Sequence, residues 1–134
     1  MIANMRLRSA MIYVKDLERM KQFYGDMLGV KPTNQDWTDV WATFDTGGAR
    51  FALHAIPAEI AKHIEIASPP TPRENDPVKL IFEVKDVESE RARLESLGIK
   101  ILRRPWQRPG GACDAVDPEG NGFQICAPGV DALL

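Results

Sequence analysis

The sequence predicts an α+β fold built from two tandem βαβββ modules. Three observations lead there. Val14-Lys15-Asp16-Leu17-Glu18 returns 70 residues later as Val84-Lys85-Asp86-Val87-Glu88, identical at four of five positions. Leu28-Gly29-Val30 returns as Leu97-Gly98-Ile99 at a spacing of 69, so one residue is lost between the two matches. Each copy reads as a strand, a capped helix and further short strand-like runs, and the 134 residues hold about two such copies.

The elements follow in order. Ser9 to Val14 and Lys79 to Val84 are short and rich in β-branched or large apolar residues, which suits strands. Asp16 and Asp86 then stand as helix N-caps, with Glu18, Glu88 and Glu90 well placed against the helix dipole. In the first helix Leu17, Met20, Phe23, Tyr24, Met27 and Leu28 form one apolar stripe; in the second Val87, Leu94 and Leu97 do so more sparsely. Gly29 and Gly98 close the helices as residues able to take a positive φ. Strand-like runs follow at Val40 to Asp45 and Arg50 to Ile56, with a further start near Val30, and in the second copy at Ile99 to Trp106, Ala112 to Val116 and Gly122 to Ala127. The last two are joined by Asp117-Pro118-Glu119-Gly120-Asn121, a strong turn signal. The expected organisation is a single domain over 1–134, with module one at 5–56, a proline-rich linker at 57–77 carrying a short helix from Ala58 to Ile66, and module two at 78–130.

Hydrophobic residues make up 44% and charged residues 27%, the composition of an ordinary globular domain. A net charge of −2 argues against a general nucleic-acid binder. The longest apolar run near the start, Ala10 to Val14, is too short for a signal-peptide core or a membrane span, so no membrane partner and a cytoplasmic location are expected. Cys113 and Cys126 form no CxxC pair and are expected as free thiols on the strands flanking the last turn, where the register, which the sequence alone does not fix, decides whether they are near neighbours.

A βαβββ unit used twice, with Val14-Lys15-Asp16-Leu17-Glu18, Phe23-Tyr24-Gly25-Asp26-Met27-Leu28-Gly29 and Asp117-Pro118-Glu119-Gly120-Asn121-Gly122-Phe123-Gln124-Ile125, resembles the vicinal oxygen chelate superfamily. Its members include glyoxalase, bleomycin-resistance proteins, fosfomycin-resistance enzymes and extradiol dioxygenases. The resemblance implies curved mixed sheets around a cavity and assembly as a homodimer. It also implies metal positions on the first strand of each module, seven residues before the helix-opening Asp, and on the last strand of each module. These fall on Ser9 and Lys79, on Gln124, and, carried back by 70 residues, on His54. Only His54 is a good divalent-metal ligand; Gln124 is a weak donor, Ser9 a rare one, and the Lys79 ammonium repels a cation. About three protein ligands are needed for a catalytic metal, so no metal cofactor is expected, with a divalent ion as the alternative.

If Ser9 and Lys79 face a cavity, strand alternation puts Tyr13 and Glu83 there too. Trp37, Trp41 and Trp106 are candidates to stack on a planar ligand, against the simpler reading of packing. The expected ligand-binding set is Ser9, Tyr13, Trp41, His54, Lys79, Glu83, Trp106 and Gln124, with His54 and Lys79 as candidate catalytic groups. The basic residues Arg103, Arg104 and Arg108 are expected at a solvated edge, while Lys79 is weighed as a partner of Glu83. His63 is expected at the surface. These readings predict a protein that binds an anionic, carbonyl-bearing or aromatic small organic molecule without a metal, sequestration in the style of resistance binders being one form of this. The alternatives are a metal-dependent lyase, isomerase or dioxygenase, and a metal-free acid–base catalyst using Lys79 and His54.

Overall fold

The computed structural model describes residues 5–33 and 37–129; the expected end of module two, at residue 130, lies outside them. The chain divides into two compact units, 1–65 and 66–134.

In the first unit β1 (Ser9–Val14) leads into α1 (Leu17–Lys21), which continues as a π-helical segment, Gln22–Met27. Then come β2 (Lys31–Pro32), β3 (Trp41–Asp45), β4 (Arg50–Ala55) and α2 (Ala58–Ala61). The sheet order is β1-β4-β3-β2, with β1 parallel to β4 and the other pairs antiparallel. Asp16 caps α1 as expected, its Oδ1 accepting the Arg19 N–H at 3.1 Å. Leu17, Met20, Phe23 and Tyr24 are buried, and Tyr24 meets Phe51 edge-on at 4.8 Å. Phe44 stacks on Phe51 from the neighbouring strand, so this face of the sheet is the one the helix covers. The sequence stripe reads as plain α-helix to Leu28, but the Leu28 N–H reaches five residues back to the Phe23 carbonyl at 2.9 Å. That wider turn accommodates two adjacent rings, Phe23 and Tyr24, both in the core and perpendicular at 5.0 Å.

The second unit repeats the plan with β5 (Leu80–Glu83), α3 (Val87–Ser96), β6 (Ile101–Leu102), β7 (Ala112–Val116) and β8 (Gly122–Cys126), in sheet order β5-β8-β7-β6. Asp86 caps α3 through the Ser89 N–H at 3.2 Å. Val87 and Leu94 are buried, but Leu97 is exposed because the helix ends there and the chain turns at Gly98, φ 82°; Ile99 takes the buried place instead. The run expected as a strand from Ile99 to Trp106 pairs only at Ile101 and Leu102. Pro105, which has no N–H to give a ladder, falls in the segment that leaves the sheet.

The linker is divided between the units. The Lys15 ammonium donates to the Ile64 carbonyl in the first unit, while the Arg73 N–H donates to Gly120 O at 2.8 Å in the second. The expected linker helix is shorter than read, covering Ala58–Ala61.

The closing turn is built on buried Asp117. Its Oδ1 accepts the N–H groups of Glu119 and Asn121, both at 2.9 Å, and its Oδ2 accepts the Asn121 side-chain amide at 2.9 Å. This turn spans residues 117–121 between strands, against 46–49 in the first unit, one residue more; a second has already entered before β7, since Thr43 and its mate Asp114 are 71 apart, and the two together change the spacing of the repeat. Met11 pairs with Ala52 and Ile81 with Gln124. Since Met11 and Ile81 are 70 apart but Ala52 and Gln124 are 72 apart, the structural mate of Gln124 is Ala52, and that of His54 is Cys126. A fixed period of 70 therefore misplaces His54 by two residues, although on the same face of the strand.

Gly120 has φ +88°, and a β-carbon there would lie 2.5 Å from the Thr71 carbonyl oxygen. Gly47, φ +85°, has open space around it. Gly47→Ala is expected to cost about 1–2 kcal/mol of backbone strain, and Gly120→Ala about 3 kcal/mol or more once the clash is added; equal midpoints in urea denaturation would contradict this.

Candidate functional site

In the first unit, strand pairing sets Tyr13, His54 and Trp41 side by side across β1, β4 and β3. They stand on the face opposite Phe51 and Phe44, away from the helix. The His54 ring lies 5.4 Å from Tyr13 and 5.7 Å from Trp41, and Tyr13 is 61% exposed. His54 Nδ1 is 2.8 Å from the Ala55 carbonyl. A carbonyl only accepts, so Nδ1 carries the proton, and in the neutral ring Nε2 keeps its lone pair. His54 also borders a cleft of about 530 Å³ walled by Val40, Ile56, Pro57 and Ala61 with Lys15 and Lys62 at its rim. Ser9 lies four residues before Tyr13 on the same strand, paired with Arg50 and not with His54. Trp37 is on the helix side, donating from Nε1 to Thr43 O at 2.8 Å beneath the Lys21 ammonium, so it packs and does not join the aromatic row.

The second unit holds a group that the sequence reading missed. Asp114, in the middle of β7, is 2% exposed and bonded by four side chains. Gln124 Nε2 and Gln107 Nε2 donate to Oδ1 at 2.8 and 3.0 Å, and Lys79 Nζ and Arg104 Nε donate to Oδ2 at 3.0 and 3.2 Å. Arg104 also holds Glu74 at 3.1 Å. Lys79 thus pairs with Asp114 and not with Glu83, and Arg104 is a structural cation and not part of a solvated edge. The available signal was a charged residue inside Ala112-Cys113-Asp114-Ala115-Val116, an otherwise apolar strand, which has to find donors. Burial by itself pushes the Asp114 carboxyl up, the largest single influence, but the hydrogen bonds from Gln124, Gln107, Lys79 and Arg104 together hold it below the ordinary value.

Gln124 is fixed by this neighbour. An ionised carboxylate only accepts, so the amide must present Nε2 to Asp114, and Oε1 points elsewhere. That oxygen is buried and has no hydrogen-bond partner, a cost of about 1–3 kcal/mol. Ile81, paired with Gln124 in the next strand, is 47% exposed, and the Lys79 side chain is 45% exposed. Glu83 is exposed at the end of β5, opposite Cys126, and Trp106 is exposed in the loop after β6 with the Arg104 guanidinium over its ring at 5.7 Å.

Cys113 and Cys126 are both free, as expected, and lie one pairing apart across the hairpin. Cys113 pairs with Ile125 and Cys126 with Ala112, so the two thiols point to opposite faces of the hairpin. Both are buried and free, and burial pushes both thiols up, away from nucleophilic character. His63 is exposed, as expected.

A divalent ion does not fit this donor set. The four register-equivalent positions are Ser9, Ala52, Lys79 and Gln124; Ala52 has no donor atom, Lys79 is a cation, and the nearby Asp114 carboxylate has both oxygens engaged by N–H groups. Among the described residues no three His, Cys, Asp or Glu side chains are grouped to hold a metal.

Because the Asp114 carboxyl is depressed, its stabilising contribution is present above the ordinary value of 3.8 and is lost as pH falls through the lower folded value. Asp114→Ala, which leaves Arg104 and Lys79 without their carboxylate, is expected to lose about 3 kcal/mol at neutral pH. The deficit should shrink as pH falls from 3.8, where the carboxyl of the unfolded chain takes up its proton, toward the lower folded value at which the native carboxylate does so too; a pH-independent deficit in chemical denaturation would contradict this assignment.

Comparison with known proteins agrees with the geometry. No curated protein matches the sequence. Among solved structures, a glyoxalase/dioxygenase from Nostoc punctiforme superposes with a TM-score of 0.68 at 17% identity, covering 95% of each chain. A glyoxalase/bleomycin resistance protein/dioxygenase family enzyme from Burkholderia phytofirmans gives 0.65 at 21%, covering 90% of this chain and 97% of its own. Lactoylglutathione lyase from Agrobacterium tumefaciens gives 0.64 at 20%, with 92% and 93% covered. These likenesses establish a shared fold. The family model for the glyoxalase/bleomycin resistance protein/dioxygenase superfamily matches residues 6–125, and the chain belongs to that superfamily.

Proposed function

We propose that this chain is a metal-independent, small-molecule-binding member of its superfamily, acting by sequestering an organic ligand. The observation that carries the reading is the occupation of Asp114. A carboxylate beside two family metal positions is already neutralised by Lys79 and Arg104 and filled by two amides, so the charge that a divalent ion would supply is built into the protein. The open faces carry what small-molecule recognition uses: aromatic surface at Tyr13, His54 and Trp41, and a few directed polar groups at Lys79 and Gln124.

A second reading, acid–base catalysis through His54 and Lys79, is supported by the unprotonated Nε2 that the Ala55 contact leaves on neutral His54. Lys79 fits it less well, since Asp114 holds its ammonium as a fixed donor.

Elemental analysis after incubation with zinc, nickel, manganese and iron, followed by desalting, is expected to show no stoichiometric metal. Near-stoichiometric retention that disappears in Gln124→Ala would overturn the proposal. In a thermal-shift screen a true ligand at a hundred times its Kd should add about 2.7 kcal/mol of stability.

A further inference from the structure

We propose that the open face of the second sheet recognises an amide-like edge, an N–H beside a carbonyl oxygen on a neutral ligand, with the N–H donating to Gln124 Oε1 and the carbonyl accepting from the Lys79 ammonium. Gln124 and Lys79 hold the same carboxylate, one on each oxygen, so the unpartnered acceptor and the half-exposed donor are neighbours. Asp114 dictates which end of the Gln124 amide is presented, so the acceptor cannot become a donor by flipping. Ile81, paired with Gln124, and Lys79 are each about half in solvent, and Ile81 offers an apolar ledge for the body of the ligand.

Charge selects a neutral ligand over an anion. Lys79 and Arg104 are matched by Asp114 and Glu74, so an added carboxylate would stand uncompensated beside Asp114. The inference rests on the metal-independent reading, because a metal on Gln124 would consume the same oxygen.

The test is a titration of the whole chain, followed by amide NMR, with benzamide, acetophenone and benzoate. Benzamide is expected to bind at millimolar strength, as suits so small a probe, and to shift the Gln124 side-chain amide and the Ile81 backbone amide. Acetophenone, which lacks the N–H, should bind about fivefold to tenfold more weakly, and benzoate no more tightly than benzamide. The inference is overturned if acetophenone equals benzamide, if benzoate is tighter, or if benzamide leaves those resonances unmoved. Gln124→Met should erase the preference for benzamide over acetophenone, and its persistence in a folded variant would also overturn the inference. The comparison of ligands on the native chain decides the matter even if that variant fails to fold. Stoichiometric metal retention would instead remove the metal-independent reading on which the inference stands.

Discussion

A charged carboxylate in the middle of a buried strand is the constraint around which the second unit is arranged. Desolvating Asp114 is tolerable only because four N–H donors converge on its two oxygens. Those donors come from β8, from the segment before β5 and from the loop after β6, so one carboxylate fixes parts of the chain that are distant in sequence. The loop leaves the sheet after Leu102 and carries Arg104 and Gln107 to Asp114. A longer β6 would lengthen the ladder, but the structure spends those residues on the buried charge. The same requirement leaves Gln124 half-satisfied, with its amide nitrogen committed and its oxygen unpartnered.

The first unit fills the equivalent positions with uncharged side chains. Where β7 and β8 place Asp114 beside Gln124, β3 and β4 place Thr43 beside Ala52. No buried charge has to be fed there, and the polar and aromatic groups sit one pairing further along, at Trp41, His54 and Tyr13. The two copies therefore share a backbone plan but present different surfaces, one aromatic and one hydrogen-bonding. Duplication of a module preserves the helix-facing residues, Phe51 and Phe123 for example, because those must pack; the opposite face is free to diverge.

Much of the fold was legible because its signals are local. The caps Asp16 and Asp86, the glycines that end the helices, and the Asp117 turn each act within a few residues, so sequence alone places them. Register is not local. The second copy gains one residue before β7 and one more in the closing turn, and no local pattern says how those residues alter pairing on β8. A fixed period of 70 therefore sets His54 against Gln124, whereas its mate is Cys126, and the register that the sequence leaves open for the two cysteines turns their thiols to opposite faces. The candidate site was legible at Lys79 and Gln124, which family positions indicate, but not at Arg104 and Gln107, whose partner lies on a different strand.

One scaffold can carry different electrostatic arrangements on the same strands. A metal site needs anionic or neutral donors gathered around a cation; here the cation is the ammonium of Lys79, and the anion it meets is the Asp114 side chain. A covalently tethered charge cannot exchange ligands as an ion does, and its N–H groups are directional. The face can still orient a carbonyl oxygen by donating to it, yet the Lewis acidity available to a bound divalent ion is absent from an ammonium. Under the metal-independent proposal selection falls to hydrogen bonding, and because Gln124 Oε1 is the one unpartnered buried side-chain acceptor among the described residues, the proposed ligand is one that brings a donor with it.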